Sequence, residues 1–174
     1  MVDDPLADLT ALAVRLGEVG SARSLTVATV ESCTGGLVGH LITEVPGSSA
    51  YYLGGFVTYS DRQKRDAVGV GEEVLAAHGA VSAQVAMAMA IGGRARTGAD
   101  LAVAVTGIAG PDGGTPQKPV GLTYVAVADV AGTEVRRFVW DGDRSDNKRR
   151  SAAAALQLLV ERLEGATTPL ANGR

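Results

Sequence analysis

The sequence predicts an α/β protein, a three-layer α/β/α sandwich around a mixed β-sheet. Short runs of β-branched and small apolar residues alternate with longer segments whose apolar residues recur every three or four positions, as in amphipathic helices. Near the end, two strand-like runs flank a short turn, which predicts an antiparallel hairpin. Helices that alternate with strands, together with a hairpin, indicate a mixed sheet covered on both faces.

The N-terminal third predicts the order helix, strand, turn, helix. Asp3 to Pro5 supply a cap and a first-turn proline for a helix that ends near Gly20. Residues 25–30 predict a buried strand, and from Thr34 the pattern is helical again until Pro46. The apolar stripe of the first helix is formed by Leu6, Leu9, Leu12 and Leu16.

The remaining elements follow in the same alternation. Residues 51–60 predict a second strand with a bulge at its glycine pair, and 61–79 predict one or two short helices. Ser82 is the expected N-cap of a helix that ends at Gly98. The last elements are a strand at 101–107, a Gly/Pro loop, a hairpin with strands at 121–130 and 134–140, and a helix that begins between Asp143 and Asp146.

The composition fits one globular domain. Of the 174 residues, 46% are hydrophobic and 20% charged, which is enough apolar material for a sizeable core. We expect a single domain over residues 1–164 and a flexible tail over residues 165–174. The net charge of −3, without a stripe of Lys and Arg among aromatic residues, argues against nucleic-acid binding.

Cysteine and histidine usage and hydropathy exclude further classes. A single cysteine cannot form an intramolecular disulfide, and no apolar run approaches the ~20 residues of a membrane span. We therefore expect a cytoplasmic protein without a membrane partner. His40 and His78 lie outside any metal-ligand spacing, so we predict no metal site and no cofactor.

Ser32 is the first candidate for chemistry, in the stretch "TVESCTGG" between Thr29 and Gly36. A turn from a strand to a helix would expose its hydroxyl, and the backbone N–H groups that follow could hold an oxyanion, as in acyl transfer. The local sequence alone favours the alternative that Ser32 is only a helix N-cap. The stretch is not a nucleophile elbow, because Val30 and Thr34 stand where that motif needs glycines.

A serine without a histidine needs another base, and "FVTYSDRQK" offers Tyr59 and Lys64. Neighbouring strand ends of an α/β sheet converge on one edge, so both side chains could reach Ser32 there. The sequence pattern alone favours the alternative that Lys64 is a solvated helix lysine. Cys33 has no neighbour that marks it as a thiolate, so we interpret it as a small packing residue.

The loop that follows the third strand is the last candidate. Backbone N–H groups around Gly107, Gly110, Gly113 and Gly114 could cradle a phosphate or a carboxylate, although the loop matches neither a P-loop nor a dinucleotide fingerprint. A plain surface loop is the alternative. Arg144 could contact an anion or could simply be a solvated arginine near a helix cap.

Several stretches together resemble the CinA C-terminal domain family, the nicotinamide mononucleotide deamidases, as a stand-alone domain. They are, in order, "ESCTGG", "PGSSAYYLGGFVTYSDRQK", "HGAVS", "GADLAVAVTGIAGPDGGTPQKPVG" and "GDR", and the match covers roughly residues 6–163. The resemblance implies a three-layer α/β/α domain and a homo-oligomer, a dimer or larger. It also implies metal-free hydrolysis of nicotinamide mononucleotide to nicotinic acid mononucleotide and ammonia, in pyridine-nucleotide recycling.

The resemblance also implies roles for individual residues. It makes Ser32 the nucleophile, Lys64 the general base and Tyr59 a hydroxyl that relays a proton or orients the substrate. The substrate-binding residues that it suggests are Thr34, Gly35, Gly36, Ser48, Thr106, Gly107, Gly110 and Arg144, with Ser49 as a further candidate. The alternative for Ser48 and Ser49 is that they order the turn. Two other functions stay open: a module that binds a nucleotide without turnover, and an amidase for another substrate.

Overall fold

The computed structural model describes residues 7–165, with a five-stranded mixed sheet at the centre. In chain order the strands are β1 Val27–Glu31, β2 Tyr52–Val57, β3 Leu101–Gly107, β4 Leu122–Asp129 and β5 Gly132–Val139. Their spatial order is β2-β1-β3-β4-β5, with β1 parallel to both β2 and β3, and β4 antiparallel to both β3 and β5. The mixed sheet and the hairpin predicted from the sequence are confirmed.

Helices cover both faces of this sheet. They are α1 Ala7–Arg23, α2 Leu37–Thr43, α3 Asp61–Val68, α4 Glu72–His78, α5 Ala83–Thr97 and α6 Arg144–Gly165, with a 3₁₀ turn at Ser48–Ala50. Buried residues of α1, α2 and α6 form one core cluster with one face of the sheet, while α3, α4 and α5 pack on the opposite face. The three-layer α/β/α architecture is therefore confirmed.

The central strands are buried on both faces, as expected for parallel strands between helix layers. All five residues of β1 are buried, as are six of the seven in β3. Small residues allow the layers to approach closely. A Cβ added at Gly92 or Gly93 of α5 would overlap the Val68 carbonyl or the Val30 side chain, so α5 is held directly against β1 and α3.

Several local predictions agree with the structure. The register of β1 against β2 shifts between Val27 and Ala28, which places an irregularity at the predicted bulge. The Ser82 hydroxyl caps α5 by accepting from the Val85 N–H at 3.3 Å, and Gly98 ends that helix with a left-handed φ of 73°. Residues 61–79 form two short helices.

Element boundaries differ by a few residues at several places: for example, β2 ends at Val57 instead of residue 60, and α2 ends at Thr43 instead of just before Pro46. α1 continues to Arg23 instead of ending near Gly20, and α2 begins at Leu37 instead of Thr34. Gly165 is the last residue of α6. The rest of the predicted tail and the predicted cap at Asp3 to Pro5 lie outside the described residues.

The topology brings three strand ends to one edge of the sheet. Because β1, β2 and β3 run in the same direction, Glu31, Val57 and Gly107 end them on the same side. The segments that follow them carry Ser32, Tyr59 and the glycine loop. Among the helices between residues 7 and 165, none combines the length and the apolar character needed to cross a lipid bilayer.

Candidate active site

Ser32 and Lys64 are in direct contact at this edge of the sheet. The Lys64 Nζ lies 3.1 Å from the Ser32 Oγ and 2.9 Å from the carbonyl oxygen of Thr58. Lys64 is only 1% exposed, so it is not the solvated helix lysine of the alternative interpretation. Ser32 is held in place through its own N–H, which donates to the carbonyl of Val105 at 2.9 Å.

Short-range structure explains why Lys64 points inwards. Ser60 caps α3 by accepting from the Gln63 N–H at 3.2 Å, and Gly69 closes the helix with a left-handed φ of 70°. The two caps fix a helix of eight residues whose inward side carries Lys64 and Val68. The lysine therefore reaches Ser32 from a short helix anchored at both ends.

The surroundings of Lys64 favour its neutral form. Burial lowers the pKa of the Lys64 ammonium below its ordinary value, while the negative charge of Asp61 and the neighbouring Cys33 act in the opposite direction. The cost of removing the ammonium from water is the largest of these effects on the pKa of Lys64. A neutral amine beside a hydroxyl can accept its proton, which is the property that a general base needs.

Cys33 can be excluded as the nucleophile. It lines the same cavity as Ser32 and is 7% exposed. Burial raises the pKa of the Cys33 thiol to about 12, so the sulfur stays protonated near neutral pH, and a thiol is far less nucleophilic than a thiolate. Its side chain belongs to the core cluster between the sheet and α1, α2 and α6, in agreement with the packing role that the sequence predicts.

Glu31, not Ser32, satisfies the start of α2. The Glu31 Oε2 accepts from the N–H groups of Gly36 and Val38 at 3.0 and 3.1 Å, and its Oε1 accepts from that of Gly39 at 2.8 Å. The interpretation of Ser32 as a helix N-cap is therefore wrong. The first N–H groups of α2 are also occupied, so they are not free to hold an oxyanion.

A cavity of about 290 Å³ opens beside the Ser32 hydroxyl. It is lined by Ser32, Cys33, Tyr59, Asp61, Lys64, Ala80, Val81, Thr106, Gly107, Ile108, Ala109, Gly110, Asp112, Gly113 and Arg144. It thus contains the three predicted catalytic residues and four of the eight predicted substrate-binding residues. Its size and its mixture of cationic, anionic and apolar groups suit a small polar molecule.

Tyr59 and Arg144 form one wall of this cavity. Arg144 donates to the carbonyl of Gly110 at 2.7 Å and to the Tyr59 hydroxyl at 3.3 Å. Tyr59 is 63% exposed, and in the described part of the chain its hydroxyl bonds Arg144 rather than Ser32 or Lys64. Arg144 is therefore anchored at the cavity instead of being a solvated surface arginine.

The glycine loop is shaped by close packing. A Cβ at Gly107 would lie 2.7 Å from the Leu122 carbonyl, and one at Gly110, where φ is 89°, would lie 2.6 Å from a methyl of Val120. The Thr106 hydroxyl donates to the Ala80 carbonyl at 2.8 Å, so it links the loop to the segment before α5. The loop is a wall of the cavity, not a plain surface loop.

Four predicted substrate-binding residues do not line the cavity. Ser48 begins the 3₁₀ turn before β2, at the opposite end of the parallel strands from Ser32, so within one chain it does not line this cavity and its role in binding stays a prediction. Thr34 is buried, and Gly35 and Gly36 supply left-handed φ values of 66° and 101°. Thr34, Gly35 and Gly36 therefore build the turn after Ser32. The two glycines stand where φ is positive, an angle that glycine adopts more readily than other residues.

Sequence reasoning missed three acidic residues of the site. Glu31 caps α2, and Asp61 and Asp112 line the cavity. The spacing of Asp61 three residues before Lys64 was a usable signal, because residues so placed lie on one side of a helix. For Glu31 no local signal exists, since the N–H groups that it meets come from five to eight residues later.

Known proteins resemble this chain in sequence and in fold over most of its length. The sequence model of the CinA C-terminal domain family matches residues 9–163 of this chain. The nicotinamide-nucleotide amidohydrolase PncC of Escherichia coli K12 is 48% identical over 154 residues, which cover 88% of this chain and 93% of that protein. The crystal structure of the competence/damage inducible protein CihA from Agrobacterium tumefaciens has a TM-score of 0.86 at 43% identity, covering 94% of this chain and 99% of the other.

Longer relatives match only in part. A putative competence-damage inducible protein of Moorella thermoacetica is 50% identical over 157 residues, which cover 90% of this chain. The match covers 36% of that relative's own length. The chain thus spans about a third of the longer curated relatives that it resembles.

Proposed function

The chain belongs to the CinA C-terminal domain family, and on that premise we propose that it hydrolyses the carboxamide of nicotinamide mononucleotide to nicotinic acid mononucleotide and ammonia. The observation that carries the proposal is the 3.1 Å contact between the buried Lys64 amine and the Ser32 hydroxyl in an open cavity. The similarity to the Escherichia coli amidohydrolase supports the choice of substrate.

The proposed reaction proceeds through an acyl-enzyme. Neutral Lys64 takes the proton of Ser32 while the Oγ attacks the carboxamide carbon. The C–N bond then breaks, and the proton returns from Lys64 to the leaving nitrogen, which departs as ammonia, with Tyr59 assisting the transfer. Lys64 then takes a proton from a water molecule whose oxygen attacks the ester carbon. The bond between that carbon and the Ser32 Oγ breaks, the proton passes from Lys64 to the Oγ, and the nicotinic acid product leaves and ionises to its carboxylate.

The donors that stabilise the tetrahedral oxyanion follow from the hydrogen bonds around Ser32. Its own N–H is bonded to Val105, and those of Gly36 and Val38 are bonded to Glu31. Among residues 7–165 the Thr34 N–H has no hydrogen-bond partner, and the Cys33 N–H contacts only the thiol of its own side chain. We assign the oxyanion to these two N–H groups, because donors beside the nucleophile can stabilise the negative charge that develops on the carbonyl oxygen.

Ammonia release from nicotinamide mononucleotide by the purified, metal-free protein tests this function. We expect turnover with nicotinic acid mononucleotide formed in equal amount. Binding of the nucleotide without ammonia release would support a binding module instead. Release of ammonia only from other carboxamides would support an amidase with a different substrate.

The cationic ring of the substrate is expected to assist the base. A positive charge near Lys64 disfavours a second positive charge there, so bound substrate lowers the pKa of the lysine further. A nicotinamide mononucleotide analogue with a neutral ring should therefore turn over more slowly. The pH at which its turnover rate rises should be higher than the corresponding pH for the natural substrate. Equal rates and equal pH profiles for the two compounds would remove the ring charge from the mechanism.

Arg144 is expected to contribute to binding the anionic nucleotide. Replacing it with alanine removes a guanidinium anchored between Gly110 and Tyr59, and we expect KM to rise about tenfold with a smaller change in kcat. Arg150→Ala is the control, because Arg150 lies on the same helix but pairs with Asp141 and Asp146 outside the cavity. Steady-state kinetics with an unchanged KM in the Arg144 variant would exclude this contact.

A further inference from the structure

Glu31 lies immediately before the nucleophile and is almost fully buried, with an exposure of 2%. Its carboxylate accepts three backbone N–H groups, from Gly36, Val38 and Gly39. These bonds join the end of β1 to the start of α2 across the turn that carries Ser32. The conformation of that turn therefore depends on a side chain that takes no part in the proposed chemistry.

The main chain of Glu31 also reaches the base. Its carbonyl oxygen accepts from the Thr58 N–H at 2.8 Å, and the carbonyl of Thr58 accepts from the Lys64 Nζ at 2.9 Å. Glu31 thus fixes the Ser32 turn through its side chain, and its backbone is connected to Lys64 through hydrogen bonds to Thr58. An error in its position would alter the distance between the two reacting groups.

We propose that Glu31 is the positioning residue of the Ser32–Lys64 pair, holding the serine turn against α2 so that the hydroxyl stays within reach of the amine. The role of the pair in deamidation rests on the proposed function. The alignment of the two groups does not, because it can be measured with a reagent that is not a substrate.

The chemistry of a carboxylate suits this position. A carboxylate only accepts hydrogen bonds, so both oxygens can face N–H groups, whereas an amide would turn its own N–H₂ towards at least one of them. Its negative charge also lies at the positive end of the α2 dipole. The fit is close on the helix side too, since a Cβ at Gly39 would lie 2.7 Å from the Tyr52 hydroxyl and 3.6 Å from the Glu31 Oε1.

The test compares Glu31→Ala and Glu31→Gln with a matched control, Asp100→Ala. The Asp100 carboxylate accepts from the N–H and the hydroxyl of Thr26, both at 2.8 Å, just before the opposite end of β1. Its loss removes a comparable set of bonds far from Ser32. Circular dichroism and thermal unfolding determine the folded fraction, by which every rate is divided.

The first readout is covalent labelling of Ser32 by a fluorophosphonate, followed by intact mass. The Ser32 Oγ forms a bond to phosphorus, fluoride leaves, and Lys64 takes the proton. We expect the labelling rate of folded Glu31→Ala to fall about 100-fold, the effect of a displacement near 1 Å. Glu31→Gln should recover part of the rate because it retains one acceptor oxygen, and Asp100→Ala should label like the wild type.

The second readout is ammonia release. We expect kcat of Glu31→Ala to fall in parallel with labelling while KM changes less than about threefold, since the cavity wall around Arg144 is untouched. Equal losses in Glu31→Ala and Asp100→Ala, or a Glu31→Ala rate close to that of the wild type, would overturn the proposal. Failure of the wild type to label at Ser32 would also overturn it, whereas labelling without ammonia release would refute only the proposed substrate.

Discussion

Replacing Ser32 with alanine is expected to lower kcat for ammonia release by at least about 10⁴-fold, because loss of the nucleophile removes the covalent route. The adjacent Cys33 cannot substitute for it, because burial raises the pKa of the Cys33 thiol to about 12, so that sulfur remains protonated near neutral pH. Binding of the nucleotide should change little, since the walls formed by Arg144 and the glycine loop are intact. Steady-state kinetics and titration calorimetry measure the two effects separately.

Ser151→Ala is the matched control for this variant. Ser151 is also a buried serine, bonded to the Trp140 indole and the Asn147 carbonyl, but it lies outside the cavity. Its replacement should reduce stability while leaving kcat per folded molecule close to that of the wild type. Substantial ammonia release by Ser32→Ala would contradict a serine acyl-enzyme and favour direct attack of water on the carboxamide.

The meeting of Ser32 with Lys64 illustrates what sequence alone can establish. Strands that alternate with helices indicated a sheet whose parallel strands end on one side, where Ser32, Tyr59 and Lys64 could meet, but the spacing alone did not show that they do. Burial of Lys64 was not predictable from its own segment, because most helix lysines are solvated. Only the tertiary packing of α3 against the end of β1 shows that the amine is removed from water.

Glu31 shows where local reasoning fails, and Ser48 shows what a single chain leaves untested. The partners of Glu31 come from the first turn of α2, and a sequence pattern does not reveal which acceptor an N–H group meets across a turn. Ser48 lies at the other end of β2 from the cavity, so the chain by itself does not bring it to Ser32, and its binding role stays a prediction. The homo-oligomer that the resemblance implies stays a prediction, which light scattering of the purified protein would test.

Replacing Lys64 with methionine is expected to lower kcat by about 10² to 10⁴-fold, the usual contribution of a general base. Methionine has a similar length and no charge, so it can occupy the same buried space. Lys64→Arg should be equally inactive, because a guanidinium does not lose its proton in this pH range. A Lys64→Met variant with wild-type kcat would exclude lysine as the base.

The pH dependence of the same variant provides an independent test. Because the base must be neutral, kcat/KM of the wild type should fall as pH falls through the pKa of Lys64, and this decline should lie below the ordinary lysine range because burial lowers that pKa. The Lys64→Met variant should lack this acidic decline. An identical profile in the variant's residual activity would assign the decline to another group.

Stability should change with pH in the direction that this burial requires. Between the lowered pKa of Lys64 in the folded chain and its ordinary value of 10.5, the unfolded chain binds a proton that the folded chain does not. The free energy of unfolding therefore rises with pH across that window. At pH values below the window Lys64 is protonated in both states, and the buried ammonium costs stability. Lys64→Met should lose this rise and be at least as stable as the wild type at neutral pH, which thermal unfolding at several pH values measures. Replacing a buried lysine that is kept only for catalysis should raise the free energy of unfolding, because the desolvation cost is removed. A variant markedly less stable at neutral pH would therefore show that the lysine is retained for structure.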